Sequence, residues 1–165
     1  MPTLPAITDL EQLKSRPELA RLLSWNPEAV TAAKFDRDEL SIYVDRQHVA
    51  EACSILRATP ELRYDYLCDI TCVDWYPSEP RFEAVIHLLS LQFKKRVRLK
   101  VRLSGDDARM PSLTPIWPAA NFYEREVFDL FGVHFEGHPY MRRIMMPEGW
   151  EGHPLRKDYP VEGYR

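Results

Sequence analysis

The fold is decided by a stretch in the second half of the chain, Arg96-Val97-Arg98-Leu99-Lys100-Val101-Arg102-Leu103. Basic and apolar residues alternate along it without exception, a pattern typical of a strand with one face in a core and the other in water. A slip of one residue in the strand pairing would bury all the cations, so the register is strongly specified. We therefore predict a strand whose odd-numbered residues are buried.

Other strands are predicted before this stretch. Glu28 to Phe35 and Leu40 to Val44 form a hairpin across a polar turn. Phe82 to Leu91 is apolar on both faces, as in the middle of a sheet. Tyr64 to Trp75 has one apolar face, made of Tyr64, Tyr66, Cys68, Ile70 and Cys72.

Capping residues, apolar spacing, prolines and glycines also predict four helices. They run from Asp9 to Leu13, from Pro17 to Leu23, from Asp45 to just before Pro60, and from Ala119 to Phe131, which Gly132 ends. Hairpin-linked strands with few helices indicate an α+β fold, with helices packed on a mostly antiparallel mixed sheet. We assign this domain to residues 1–132, with a polar loop at 104–111.

Composition and charge describe one globular domain. The 165 residues are 45% hydrophobic and 28% charged, and a net charge of −3 indicates neither nucleic acid nor an anionic membrane as a partner. No run of about eighteen apolar residues occurs, and Met1 to Leu10 lacks the pattern of a secretory signal. Three cysteines suit reduced thiols better than a disulfide framework. We expect a soluble protein of the cytosol.

The helix from Ala119 to Phe131 has charged residues around its apolar stripe. At about 100° per residue, Glu124 and Glu126 fall on the two edges of the stripe, while Arg125 points away from it, one turn from Asp129. One interpretation is a surface helix with an Arg125–Asp129 pair worth a few tenths of a kcal/mol. We favour the other, a helix held between its own sheet and a second surface, with its charges half-buried and paired.

Two candidate catalytic centres lie in this region. Glu124 and Glu126 diverge by about 200° around a helix, so they cannot share one substrate atom as paired catalytic carboxylates must. His134, Glu136 and His138, with His153 downstream, have the side chains of a zinc site but not the spacing of the helical zinc motif. A metal-dependent enzyme that uses this cluster stays open as an alternative.

Three further patterns have simpler interpretations. Cys68 and Cys72 lack the two-residue spacing of zinc ribbons and iron–sulfur motifs, and core packing explains both thiols. The sequence contains no glycine-rich nucleotide-binding loop. The basic face of the stretch from Arg96 to Leu103 is either solvated or faces an acidic neighbour.

Residues 133–165 form what we call the C-terminal arm. Five of the six glycines lie between Gly132 and Gly163, together with four prolines, which excludes a helix or a central strand. Disordered tails are poor in bulky apolar groups, yet this segment is rich in them. We interpret it as an extended arm that is mobile until it docks onto another surface. We also expect Glu124 or Glu126 to pair with an arginine of the C-terminal arm or of a partner.

The residues at the junction of helix and C-terminal arm resemble a known family. The signature of the 30-kilodalton subunit family of respiratory complex I is similar to Glu124-Arg125-Glu126-x2-Asp129-Leu130-Phe131, His138 and Arg142-x-Ile144-Met145. The closing segment of that family is similar to Pro147-x2-Trp150-x-Gly152, continued by His153-Pro154-Leu155-Arg156-Lys157-Asp158-Tyr159-Pro160. The matched stretch covers about a quarter of the chain.

This resemblance implies a structural and assembly subunit of NADH:quinone oxidoreductase, a proton-pumping translocase. The subunit would lie in the hydrophilic arm of the complex, on the cytoplasmic side of the cell membrane, and brace the large quinone-site subunit of complex I and its neighbours. FMN, the iron–sulfur clusters and the quinone would belong to partner subunits, and no catalytic, cofactor-binding or metal residue is expected in this chain. Equivalent subunits of a membrane-bound hydrogenase or of the photosynthetic NADH-dehydrogenase-like complex stay open.

The resemblance also implies which residues dock the partners. They are Glu124, Arg125, Glu126, Asp129, Phe131, His138, Arg142, Arg143, Trp150, His153, Arg156, Lys157, Asp158 and Tyr159.

Overall fold

The computed structural model describes residues 5–163, in which a five-stranded sheet supports the rest of the fold. Its strands are β1 (Val30–Asp36), β2 (Glu39–Val44), β3 (Tyr66–Asp74), β4 (Phe82–Ser90) and β5 (Lys95–Leu103). The order across the sheet is β1-β2-β5-β4-β3. Neighbouring strands are antiparallel except for β2 and β5, which run parallel. The predicted mostly antiparallel mixed sheet is confirmed.

Helices complete the domain. They are α1 (Leu10–Leu13), α2 (Pro17–Trp25), α3 (Val49–Ala58) and α4 (Ala120–Phe131), with a single 3-10 turn at Pro27–Ala29. Their apolar residues join one hydrophobic core with the inward faces of the strands, which confirms the α+β class. Gly132 ends α4 with a φ of 77°, in the left-handed region, as the sequence predicts. Across residues 5–163, each helix is too short or too polar to cross a membrane.

Strand β5 has the predicted register. The exposed fraction is at most 3% for each of its odd-numbered residues Val97, Leu99, Val101 and Leu103. On the opposite face, neighbouring strands supply carboxylates to the cations. Arg98 pairs with Glu39 of β2, and Glu83 of β4, itself only 1% exposed, forms ion pairs with both Lys100 and Arg102 at 2.7 Å. An acidic neighbour is therefore confirmed for these three cations, whereas Arg96 on the same face is exposed and has no ion pair within residues 5–163.

A β-bulge makes part of the prediction for β3 wrong. The pairing of β3 with β4 shifts between Leu67 and Asp69, so the extra residue there reverses the alternation of faces. Leu67 faces the core before the bulge, and Ile70 and Cys72 face it afterwards. Tyr66 is 51% exposed and Cys68 is half-buried outside the core, so neither belongs to the predicted apolar face.

The end of the predicted polar loop at 104–111 is a strand, β6 (Arg109–Pro111), which pairs in parallel with β7 (His134–Glu136). This pairing draws Met110 and Phe135 into the core, each 1% exposed, and Val133 beside them is fully buried. The packed region therefore continues past Gly132, where the sequence places the end of the domain. A local pattern could not show this, because the two strands are more than twenty residues apart.

Candidate functional site

The C-terminal arm folds back over the end of α4 and acts as its cap. The last four carbonyl groups of a helix have no partners within the helix. Here the carbonyl of Phe128 accepts from the Gly132 N–H at 2.9 Å, and that of Leu130 from the Leu155 N–H at 3.0 Å. The carbonyl of Asp129 accepts from the side chains of Arg143 at 3.1 Å and His153 at 2.9 Å. The carbonyl of Phe131 accepts from the Arg156 side chain at 2.6 Å. Two of the donors are guanidinium groups, whose charge suits the negative end of the helix dipole.

Asp129 is the polar centre of this junction. Its side chain is fully buried, and Oδ2 accepts the backbone N–H groups of Ile144, Met145 and Met146 at 2.9, 2.7 and 2.8 Å. Oδ1 accepts from Arg143 at 2.6 Å. Burial alone would raise the pKa of Asp129, but these hydrogen bonds and the guanidinium hold it below its ordinary value. The carboxylate therefore fixes the backbone of the C-terminal arm where it leaves the helix.

This contact differs from the expected charge pairing. Arg143 of the C-terminal arm pairs with Asp129. Within residues 5–163, neither Glu124 nor Glu126 has an ion pair. Arg125, which the less favoured interpretation of this helix pairs with Asp129, donates instead to the carbonyls of Arg142 and Arg143 at 3.1 and 3.2 Å. The reason is the path of the chain, since it runs along the side of α4 that carries Asn121, Arg125 and Asp129, whereas Glu124 lies on the side that faces the domain. Pairing of a glutamate with a partner subunit stays a prediction.

Glu124 faces the domain and not the C-terminal arm. It is fully buried and accepts from the Ser112 hydroxyl and the Leu113 N–H, both at 2.6 Å. Burial raises the pKa of Glu124 to about 7, although the two hydrogen bonds lower it. This residue therefore ties α4 to residues 112–113 and changes its charge near neutral pH.

A second anchor holds the end of the C-terminal arm against the sheet. Asp74, at the end of β3, accepts from Arg81 at 3.0 and 2.9 Å and from the Lys157 N–H at 2.9 Å. Arg81 also donates to both oxygens of Asp158, at 2.9 and 2.6 Å. Burial would raise the pKa of Asp74, but Arg81 and the backbone donors lower it to about 2. The sequence did not predict a role for Arg81. A single cation before a strand does not indicate that its partner, Asp158, lies over seventy residues further along the chain.

A histidine holds the start of the C-terminal arm. The Nε2 of His138 lies 3.2 Å from the carbonyl of Asn121, and its Nδ1 accepts the N–H of Tyr140 at 3.0 Å. Because a carbonyl can only accept, Nε2 carries the proton and the ring makes both bonds in its neutral form. Burial lowers the pKa of His138, which favours that form. The Tyr140 ring lies 4.6 Å from the Arg142 guanidinium, a cation–π contact.

The candidate zinc ligands do not converge. His134 meets the Phe128 ring edge-on at 5.9 Å, whereas His138 and His153 bond to different backbone carbonyls. Within residues 5–163, no group of three or more His, Cys, Asp or Glu side chains could hold a metal ion. The geometry therefore gives the metal-enzyme alternative no support.

Besides the polar groups that bond inward, the C-terminal arm has apolar side chains on its surface. Tyr140, Met145, Trp150 and Leu155 are 50%, 60%, 39% and 52% exposed, and Phe122 of α4 is 61% exposed. Aromatic residues and methionine are enriched at protein interfaces. Two other predicted docking residues belong to the C-terminal arm. Lys157 is exposed, and Tyr159 is half-buried and donates to the Glu151 carbonyl at 3.4 Å. The arrangement suits a surface that meets another protein.

Known proteins share both this sequence and this fold. Residues 42–165 match the family model of the respiratory-chain NADH dehydrogenase, 30 Kd subunit. A NADH-quinone oxidoreductase subunit from Roseiflexus castenholzii is 48% identical over 143 residues, which cover 87% of this chain and 82% of that protein. The corresponding NADH-quinone oxidoreductase subunit from Rhizobium meliloti is 50% identical over 122 residues, 74% of this chain and 66% of that protein.

Two solved structures are similar. A trypsin-resistant fragment of Nqo5, residues 1–134, is 29% identical with a TM-score of 0.61, and the match covers 74% of this chain and 98% of the fragment. One chain of the membrane-bound sulfane sulfur reductase, an archaeal respiratory membrane complex, is 32% identical with a TM-score of 0.72. That match covers 90% of this chain and 86% of the other.

The fold and its capped helix thus define a small α+β subunit of a respiratory complex. The chain belongs to the family of the respiratory-chain NADH dehydrogenase 30 Kd subunit, and so to the subunits of the hydrophilic arm of complex I.

Proposed function

We propose that this subunit of NADH-quinone oxidoreductase contributes no residue to the reaction and that its C-terminal arm fastens it to the large quinone-site subunit of the complex. The observation that carries this proposal is the division of the C-terminal arm into two sides. Its polar groups bond to Asp129, Asp74 and the end of α4, while Met145, Trp150 and Leu155 face outward. The exposed apolar groups lie beside polar groups that already have hydrogen-bond partners. Covering such a surface with a partner removes apolar area from water, which is favourable.

Two of the three cysteines, Cys53 and Cys72, are part of the packed core. Burial raises the pKa of Cys72 to about 12 and also raises that of Cys53, so both thiols are protonated near neutral pH. FMN, the iron–sulfur clusters and the quinone would be held by other subunits, and this chain would lie on the cytoplasmic side of the membrane. The trypsin resistance of Nqo5 residues 1–134 supports a compact domain that persists without the rest of its chain.

Replacement of Met145, Trp150 and Leu155 together by Ser tests the proposal. The three side chains make no hydrogen bond that holds the C-terminal arm, so the isolated variant should keep its unfolding temperature. In cells, we expect it to be lost from the purified complex, with quinone reductase activity lost in the same proportion. Tyr66→Thr, which removes a similarly exposed aromatic group outside the C-terminal arm, is the control. Full incorporation of the triple variant would overturn the proposal.

A further inference from the structure

A groove lies at the end of the sheet opposite the last anchor of the C-terminal arm. That anchor contacts the end of β3 and the start of β4, whereas the groove lies at the start of β2 and β5. Strands of this length separate the two ends by about 26 Å. The groove and its open mouth enclose about 910 Å³. Its apolar lining consists of Pro17, Phe35 and Leu40, and its cations are Arg16, Lys94, Lys95 and Arg96.

The cations of this groove are not neutralised by carboxylates of the described chain. Within residues 5–163 none of the four has an ion pair, and Arg16 only stacks on the Phe35 ring, 3.7 Å from its centre. Of the three carboxylates in the groove, Glu39 is paired with Arg98. The other two are Asp38 and Glu18, which accepts from the Tyr64 hydroxyl at 2.7 Å, so two carboxylates remain against four cations. Further along β5, by contrast, Arg98, Lys100 and Arg102 are all paired. In a chain of net charge −3, this end of the sheet therefore carries a local positive excess.

The turn that presents these cations is held in shape. The Leu91 N–H donates to Asp65 at 3.2 Å, and Arg63 donates to Gln92 at 2.8 Å. Lys94 has a φ of 52°, in a region that non-glycine residues seldom occupy. Beside the cations, Leu91 and Phe93 are 58% and 39% exposed. The turn thus combines fixed backbone, positive charge and exposed apolar surface.

We propose that this groove receives an extended acidic segment of a neighbouring subunit. Carboxylates of that segment would lie against Lys94, Lys95 and Arg96, and one of its apolar side chains would cover the exposed Pro17 and the half-buried Phe35. The concave shape and apolar floor suit a peptide better than a membrane surface, and the negative net charge of the chain opposes approach to anionic lipid. This inference rests on membership of the complex and is independent of how the C-terminal arm docks.

Zero-length carbodiimide cross-linking of the intact purified complex tests it directly, because the reagent joins an amine to a carboxylate in contact with it. We expect Lys94 or Lys95 to cross-link to an Asp or Glu of another subunit and to be labelled more slowly by an amine reagent than in the free chain. Labelling at the same rate in the complex and in the free chain, with no cross-link to another subunit, would overturn the proposal.

The double variant Lys94→Glu/Lys95→Glu provides an independent measurement. Both positions are exposed, so the isolated chain should keep its unfolding temperature, while release from the complex in a salt wash should become about tenfold faster, as expected when interface charges are reversed. The matched control Arg21→Glu/Arg57→Glu reverses as many exposed cations outside the groove, neither of which has an ion pair within residues 5–163, and should not change the rate. Equal release of both variants would contradict the proposal. So would binding of the full chain, dependent on Lys94 and Lys95, to vesicles of phosphatidylcholine and phosphatidylserine without such a cross-link in the complex.

Discussion

Two carboxyl groups on the same helix show how hydrogen-bond partners can outweigh the effect of burial on a pKa. Glu124 and Asp129 are both fully buried. Asp129 has a guanidinium and three backbone donors, and its pKa is lowered. Glu124 has only a hydroxyl and one backbone N–H, and its pKa is raised to about 7. The first is thus a permanent anion that organises the C-terminal arm, and the second changes charge near neutral pH.

Replacement of Glu124 by Gln should stabilise the chain above neutral pH. Between the ordinary pKa of 4.5 and the folded value of about 7, the folded chain binds more protons than the unfolded one, so stability falls as pH rises through this window. From about pH 6 to about pH 8 we expect the wild type to lose about 1 kcal/mol that the variant keeps, measured by urea unfolding. Glu126→Gln, on the exposed side, should keep the wild-type slope. Identical slopes for wild type and Glu124→Gln would show that Glu124 is not the titrating group.

Replacement of Asp129 by Asn should be far more damaging. It leaves the Arg143 guanidinium, whose side chain is 16% exposed, without its carboxylate. Breaking a buried pair in this way costs about 3–5 kcal/mol. We expect a comparable loss in the free energy of unfolding and faster hydrogen exchange at Ile144, Met145 and Met146. Asp158→Asn, at a more exposed pair, should have a much smaller effect, and equal effects of the two would contradict the assignment of Asp129 as the centre.

At the scale of elements, α4 and the C-terminal arm form one unit, because the cap of the helix comes from residues far along the chain. Gly132 makes this approach possible. A Cβ at Gly132 would lie 2.6 Å from the His153 ring and would also meet the Arg156 guanidinium. The helix therefore ends at a residue that must have both a left-handed backbone and no side chain.

Three glycine-to-alanine variants separate these two requirements. Gly132→Ala has both the positive φ and the clash, Gly137→Ala has the positive φ with nothing within 4 Å, and Gly149→Ala has neither. We expect the loss of stability to decrease in that order, with about 1 kcal/mol for the backbone conformation alone. Thermal unfolding measures the series. Equal losses at Gly132 and Gly137 would mean that the contact with His153 and Arg156 is not tight.

Acidification should loosen the start of the C-terminal arm. Burial lowers the pKa of His138 below its ordinary 6.5, and the charge of Arg125 lowers it further. As pH falls below about 6.5, His138 is therefore protonated in the unfolded chain at a higher pH than in the folded chain. The stability that His138 contributes is therefore complete above that pH and is lost as pH falls. Protonated Nδ1 also cannot accept the Tyr140 N–H. Hydrogen exchange at Tyr140, corrected for intrinsic rate, should accelerate at low pH in the wild type and not in His138→Gln. Unchanged protection in the wild type would contradict this.

At the scale of the whole molecule, the place where the domain ends can be tested by truncation. Truncation after Gly137 keeps Val133 and Phe135 in the core, whereas truncation after Gly132 removes both. Removal of a buried Phe costs about 3–5 kcal/mol. We expect the longer chain to fold and the shorter one to be markedly less stable, as measured by urea unfolding, and neither to join the complex. Equal stability of the two chains would restore the boundary at Gly132.

Within the assembled enzyme, the histidines should matter only through assembly. Because His134, His138 and His153 contact backbone or aromatic groups of their own chain, single replacements should lower quinone reductase activity in proportion to the subunit lost. Activity per assembled complex is the quantity to measure. A histidine variant that assembles fully and is inactive would contradict a role without chemistry.

The sequence by itself determined the register of β5, the apolar interior strand β4, the stop at Gly132 and the family. The strands follow from local periodicity and from the high free-energy cost of burying four cations, the stop from a single glycine, and the family from runs of adjacent motif residues. Only the tertiary structure decided the bulge in β3, the pairing of β6 with β7, the role of Arg81, and Asp129 in place of Glu124 as the partner of the C-terminal arm. Each of these depends on which distant segments meet, and the helical position of a carboxylate does not specify the donor that the returning chain will bring to it.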